Sequence, residues 1–147
     1  MMNEFMNRAI ELSRDAKQQG EIPVGAVVVK DNKIISEGKN SRENEKSPLG
    51  HAEINAIKKA CESLGDWRLD GCDLYVTLEP CPMCAGAIIN SRISRVFFGA
   101  YDNKWGSFGS LIDLSAVKYQ TKPEIHGGIM EAECKEILED FFQNIRK

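Results

Sequence analysis

Two short segments of the chain carry the residue types that metal-assisted hydrolysis needs: His51-Ala52-Glu53, and Glu79-Pro80-Cys81-Pro82-Met83-Cys84. Cys81 and Cys84 are three positions apart, which on the first turn of a helix brings both sulfurs to one side. A helix N-terminus also carries partial positive charge, and this favours the thiolate that binds metal. With His51 the two cysteines make a Cys₂His set, which leaves a fourth tetrahedral position open to water. Zinc, two thiolates and a neutral imidazole sum to zero charge, and such a metal still lowers the pKa of its water toward ~7. Glu53 stands two positions beyond the histidine, near the metal without ligating it. A carboxylate there can accept the proton of the water and later pass it to a leaving group. The chemistry these residues suit is attack on an amidine-like carbon followed by loss of ammonia.

A lone C-x-x-C would equally suit a structural zinc site or a redox dithiol. A structural site needs a fourth ligand, which would be Cys61, Cys72 or Cys134. Cys61 and Cys134 fall on the apolar faces of expected helices and read as buried thiols. Cys72 follows Gly71 in an expected turn. A redox dithiol would leave His51 and Glu53 unused, and a silent zinc module that only binds RNA or a partner would have no need of Glu53.

Both motifs fall where a loop or strand meets an expected helix. Phe5, Ala9, Leu12 and Ala16 recur at helical spacing, with Gly20 as the stop. The β-branched run Val24–Val29, the turn Asp31-Asn32-Lys33 and Ile34-Ile35 read as a hairpin. Residues 39–50 are polar, contain Pro48 and form a loop. A helix follows from about His51 to Leu64, with Ala56, Ile57, Ala60, Cys61 and Leu64 on one face. Leu74–Thr77 and Val96–Phe98 read as strands, and residues 81–90 as a helix with Pro82 in its first turn. A long loop from Gly99 to about Ser110 precedes a less regular region. Met130, Cys134, Ile137, Leu138, Phe141 and Ile145 mark a final amphipathic helix. Strands alternating with helices predict an α/β fold, a three-layer α/β/α sandwich.

The 147 residues suit one domain, 1–147, since no repeat, low-complexity tract or linker interrupts them. No apolar run approaches the ~20 residues that cross a bilayer, and the N-terminus lacks a signal-peptide pattern, so the expectation is no membrane contact and a cytoplasmic location. Five cysteines, an odd number, argue for thiols or ligands over a disulfide framework. The net charge of −3 counts against a large phosphate footprint but leaves room for a local one.

Taken together, H-x-E followed by P-C-x-x-C is the signature of zinc nucleobase deaminases. Within that superfamily the chain resembles the bacterial tRNA adenosine deaminases. The resemblance rests on GEIPVGAVVV (20–29), HAEINAI (51–57), WRLDGCDLYVTLEPCPMCAGAI (67–88), SRISRVFFGA (91–100) and the DFF at 140–142, and it covers nearly the whole chain. It implies a cytidine-deaminase-like fold with a mixed five-stranded sheet, a homodimer, and one Zn²⁺ per subunit held by His51, Cys81 and Cys84. It further implies that Glu53 shuttles protons while adenosine becomes inosine at the wobble position of a tRNA anticodon, an arginine tRNA being the expected substrate. Asn40 matches the family residue that hydrogen-bonds the flipped purine, and Val24 an apolar residue packed against it. The competing substrate class is a free base or nucleoside, such as guanine or cytosine, which needs no basic surface.

Candidates for RNA contact are Lys104, Trp105, Phe108 and Phe142, with Lys118, Lys122, Arg146 and Lys147 as further phosphate partners. Trp105 and Phe108 have two readings, stacking on splayed bases or filling an interface or core. Helical spacing puts Phe141 on the apolar stripe and leaves Phe142 free to meet RNA. His126, with no motif around it, reads as a surface or structural histidine.

Overall fold

A computed structural model describes residues 2–146. Five strands form one mixed sheet in the order β2-β1-β3-β4-β5. Strand β1 (Gly25–Lys30) and β2 (Lys33–Lys39) are the expected hairpin. Its turn residues Asp31 and Asn32 both adopt positive φ, 51° and 61°, the backbone that a two-residue hairpin loop demands. β1 also pairs antiparallel with β3 (Cys72–Leu78), which pairs in parallel with β4 (Arg95–Ala100). A short β5 (Glu124–His126) adds in parallel to β4, within the region the sequence pattern left unassigned. Three residues are too few to show a period of two, which is why pattern alone passed over it.

Side chains alternate across the sheet and so build two cores. Val28, Leu74, Val76, Val96 and Phe98 face one layer, made by α3 (Ala52–Leu64) and α4 (Pro82–Asn90). Val27, Val29, Tyr75 and Phe97 face the other, made by α1 (Met2–Gln18) and α5 (Glu131–Arg146). This is the three-layer sandwich expected from the element order. The loop at 39–50 holds one short helix, α2 (Arg42–Glu45), too brief to show helical spacing in the sequence. Close approach of β2 to α3 depends on Gly38, where a Cβ would overlap the Ala52 carbonyl and lie 2.6 Å from the Ala56 nitrogen.

The cysteines divide differently from their sequence reading. Cys134 is buried as expected, but Cys61 is only half-buried and its thiol donates to the Trp67 carbonyl at 3.7 Å. Cys72 is not in a turn; it opens β3 and is buried. All five thiols are free. No helix among the described residues is long and apolar enough to cross a membrane.

Candidate active site

The site forms at the carboxyl ends of β3 and β4, where the parallel half of the sheet meets its antiparallel half. Such a topological switch point leaves a crevice between successive connections. Two helices aim their N-termini at it. His51 is the N-cap of α3 and Cys81 the N-cap of α4, with Pro82 as the first helical residue and Cys84 in the first turn. Both caps have extended backbone, and their carbonyls start the helices by accepting from Asn55 and Ala85, at 3.0 and 2.8 Å. Neither side chain makes the capping bond that serine or aspartate would make there, so imidazole and thiol are both spare.

The three ligand atoms converge within 4.8 Å of one another. His51 Nδ1 lies 3.7 Å from Cys81 Sγ and 3.4 Å from Cys84 Sγ. Nitrogen and sulfur ligands at ordinary zinc bond lengths in a tetrahedron stand about 3.5 Å apart, so the spacing suits that metal. The protonation of the pair agrees. A hydrogen bond from Cys84, opposed by burial and aided by His51, holds the Cys81 thiol down to about 4. The same bond, with burial, pushes the Cys84 thiol up. Cys81 is thus the more easily ionised of the two thiols, and a divalent cation would displace the proton from Cys84.

Glu53 sits on the first turn of α3 and is 4% exposed. Burial pushes its carboxyl up to about 7, with the Cys81 thiolate adding to the effect and His51 opposing it. A carboxyl poised there can both take and give a proton at neutral pH.

Asn40 and Val24 meet beside this cluster of elements. The Asn40 backbone N–H donates to the Val24 carbonyl at 3.1 Å, and its Nδ2 donates to Ile22 O at 3.2 Å. Its Oδ1 is the one side-chain polar atom among the described residues that is buried without a hydrogen-bond partner. A buried acceptor left unsatisfied is costly, and in native proteins such an atom calls for an explanation, a ligand being one. Val24 is buried against the same wall.

The aromatic candidates separate. Trp105 is 63% exposed at the tip of the loop after β4, next to exposed Lys104. Phe108 is 6% exposed and packs into the α3/α4 core, so the fold assigns its ring to the interior and removes it from the RNA candidates. Its backbone N–H donates to buried Glu79 Oε2 at 3.1 Å. Phe142 is exposed on α5, edge-on to Phe141 at 5.5 Å, in the layer opposite α3 and α4. Lys118 and Lys122 are exposed, the Arg146 side chain is not described, and Lys147 lies outside the described residues.

Several positioning residues escaped the sequence reading. Glu21 is buried and accepts the backbone N–H groups of Glu43 and Asn44, at 3.0 and 2.7 Å, tying α2 to the turn before β1. Asn55 donates to Lys39 O and to Ser41 Oγ, both at 2.9 Å, and so fixes the segment around Asn40. Glu79 is buried and accepts from the loop at 102–110. Only Glu79 had a signal within the motif, its place one residue before the Pro-Cys pair.

A profile of the MafB19-like deaminase family matches residues 2–146. The chain is 45% identical over 144 residues to the tRNA-specific adenosine deaminase of Bacillus subtilis (strain 168), covering 97% of this chain and 89% of that protein. A solved structure from work on A-to-I editing by tRNA:A34 deaminases at the wobble position superposes with a TM-score of 0.88 at 43% identity, over 92% of this chain and 99% of the other. The guanine deaminase of Bacillus subtilis is more distant, with a TM-score of 0.64 at 36% identity over 80% of this chain and 85% of that one. The ligand cluster, the buried glutamate and these likenesses agree, and the chain belongs to the MafB19-like deaminases and, among them, to the tRNA-specific adenosine deaminase family.

Proposed function

We propose that this protein hydrolytically deaminates adenosine to inosine at the wobble position of a tRNA anticodon, as a single deaminase domain spanning 1–147. The observation that carries the reaction is a three-ligand cluster with a buried, non-ligating Glu53 beside it. Likeness to tRNA-specific deaminases over nearly the full chain supports the substrate. His51 through Nδ1, Cys81 and Cys84 would hold one zinc ion per subunit. When bound, that ion supplies a Lewis acid that makes water acidic enough to be a nucleophile near neutral pH.

The chain's own residues handle the remainder. Net reaction adds water at C6 of the purine and expels the exocyclic amine as ammonia. Glu53 accepts one proton from the water and delivers it to the ring nitrogen, then takes the second from the hydroxyl added at C6 and gives it to the departing amine, acting as base and then as acid in each transfer. Its burial keeps the proton from solvent. Asn40 Oδ1 is an acceptor suited to the one donor on the adenine edge, the exocyclic N–H, while Val24 packs against the ring. Lys104, Trp105 and Phe142 are the contacts proposed for the flanking RNA.

Exposed Leu111, Ile112, Val117 and Tyr119 form an apolar rim after the loop, and we assign it to a homodimer contact. A tRNA substrate suits a cytoplasmic location. Arginine tRNA is the isoacceptor we propose, on the family resemblance.

The test is incubation with an arginine-tRNA anticodon stem-loop bearing wobble adenosine, in parallel with free adenine, adenosine, guanine, cytosine and cytidine. Exchange of NH for O raises the product mass by about one unit. That gain at the wobble base alone is the expected result. Turnover of a free base or nucleoside with an untouched stem-loop would overturn the RNA substrate and retain the reaction.

A further inference from the structure

Glu79 is 2% exposed, and among the described residues its carboxylate pairs with no cation; every hydrogen bond the carboxylate accepts comes from one loop. Oε1 accepts from the Asp102 N–H at 3.1 Å and from the Ser110 hydroxyl. Oε2 accepts from the N–H groups of Phe108 and Ser110, both at 3.1 Å. One carboxylate thereby closes both ends of residues 102–110. Gly106 is shaped to this arrangement, because a Cβ there would overlap the Glu79 carboxylate.

Two further contacts hold the loop, one of them to the turn that carries Cys81. The Ser107 N–H donates to Pro80 O at 2.9 Å, and Phe108 anchors the loop in the core. Between the clamped ends, Asp102 Oδ1 accepts from the N–H groups of Lys104 and Trp105, at 3.0 and 3.2 Å, stiffening the tip. Trp105 is two residues from Ser107, so its Cα lies within about 7 Å of the position bonded to Pro80. An exposed indole and an exposed ammonium are thus held beside the metal-ligand turn by a buried acid that touches neither.

We propose that Glu79 is a positioning residue for substrate: it fixes the 102–110 loop so that Trp105 is preorganised to stack on a nucleotide flanking the target base. The assignment rests on the RNA-editing reading above. A loop already ordered loses less entropy when RNA docks, so removing the clamp raises KM more than it lowers kcat. Glutamine at this position keeps the shape but has one acceptor oxygen, and its NH₂ faces N–H donors.

The experiment is a double-mutant cycle on the wobble-adenosine stem-loop, using Glu79→Gln, Trp105→Ala and the pair. Metal content is measured throughout. Trp105 fluorescence anisotropy is read in a Trp67→Phe background, which leaves one tryptophan. Glu79→Gln is expected to keep one metal per chain, hold kcat within about twofold, raise KM about tenfold and lower the anisotropy, a loss within the range of one base–aromatic stack. In the Trp105→Ala background the same change should add less than about twofold to KM, since coupled sites are not additive. An equal KM penalty in both backgrounds, or an indole as rigid as in the wild type, overturns the assignment. Ser110→Ala removes only the hydroxyl donor and serves if Glu79→Gln does not fold; a smaller KM rise, again absent without Trp105, is expected, and a rise of the same size in both backgrounds overturns it. A wild-type protein inert on the stem-loop defeats the substrate reading itself, and this assignment with it.

Discussion

The proposed reaction turns on Glu53, a buried carboxyl on the helix start that carries His51 and outside the His51, Cys81 and Cys84 group. Glu53→Gln keeps the volume and removes the proton carrier. The expected outcome is full metal content and an unchanged melting temperature, with kcat reduced by about 10²–10⁴-fold, the usual worth of positioned acid–base catalysis. Metal analysis and stem-loop turnover on the same preparation check it, and wild-type kcat in the variant would remove Glu53 from the mechanism. Asn40 makes a different argument, from an acceptor that the folded protein leaves unpaired. Asn40→Ala should keep metal and lower kcat/KM about 10- to 100-fold, the range for losing one specific hydrogen bond to a substrate group together with its orientation. Turnover within about twofold of wild type would mean that the purine edge is read elsewhere.

At the scale of elements, the site depends on two short connections that would otherwise be free to move. Glu21 holds α2, and with it the approach to Asn40 and His51. Burial by itself would raise the Glu21 carboxyl, but the N–H groups of Glu43 and Asn44 outweigh it, and the folded-state pKa falls below 4.5. A depressed folded pKa means that the carboxylate stabilises the native state in full above the unfolded value and loses that contribution as pH falls through the folded one. Glu21→Gln should therefore be less stable than wild type at neutral pH, and the gap should narrow as pH drops below about 4.5. Denaturant unfolding of both proteins across pH 3–7 measures this; a gap that stays constant with pH would detach the carboxylate from the stability of α2.

For the molecule as a whole, the apolar rim of Leu111, Ile112, Val117 and Tyr119 is exposed after a loop whose other end is anchored in the core. Large apolar side chains left exposed within residues 111–119 suit an interaction surface. Sedimentation equilibrium is expected to return twice the 16.4 kDa chain mass. Leu111→Glu with Ile112→Glu should shift the protein toward that single-chain mass without releasing metal. A dimer that survives both charges would place the interface on another face.

Local spacing carried the chemistry. The convergence of His51, Cys81 and Cys84, with Glu53 close to His51, was legible because residues two or three positions apart at helix starts have their direction set by short-range geometry. Helices α1, α3 and α5 and the β1–β2 hairpin were legible for the same reason, their apolar periods of 3.6 and 2 being local properties. Strand β5 and helix α2 were not, being three and four residues long and held by neighbours far away in sequence. Burial was likewise beyond a local pattern: Phe108 and Trp105 look alike in the chain, yet one fills the core and the other faces solvent. Glu21 had no pattern to show and Glu79 only its place in the motif, because a buried carboxylate takes its meaning from the N–H groups that fold onto it, and those lie 22 to 31 residues away.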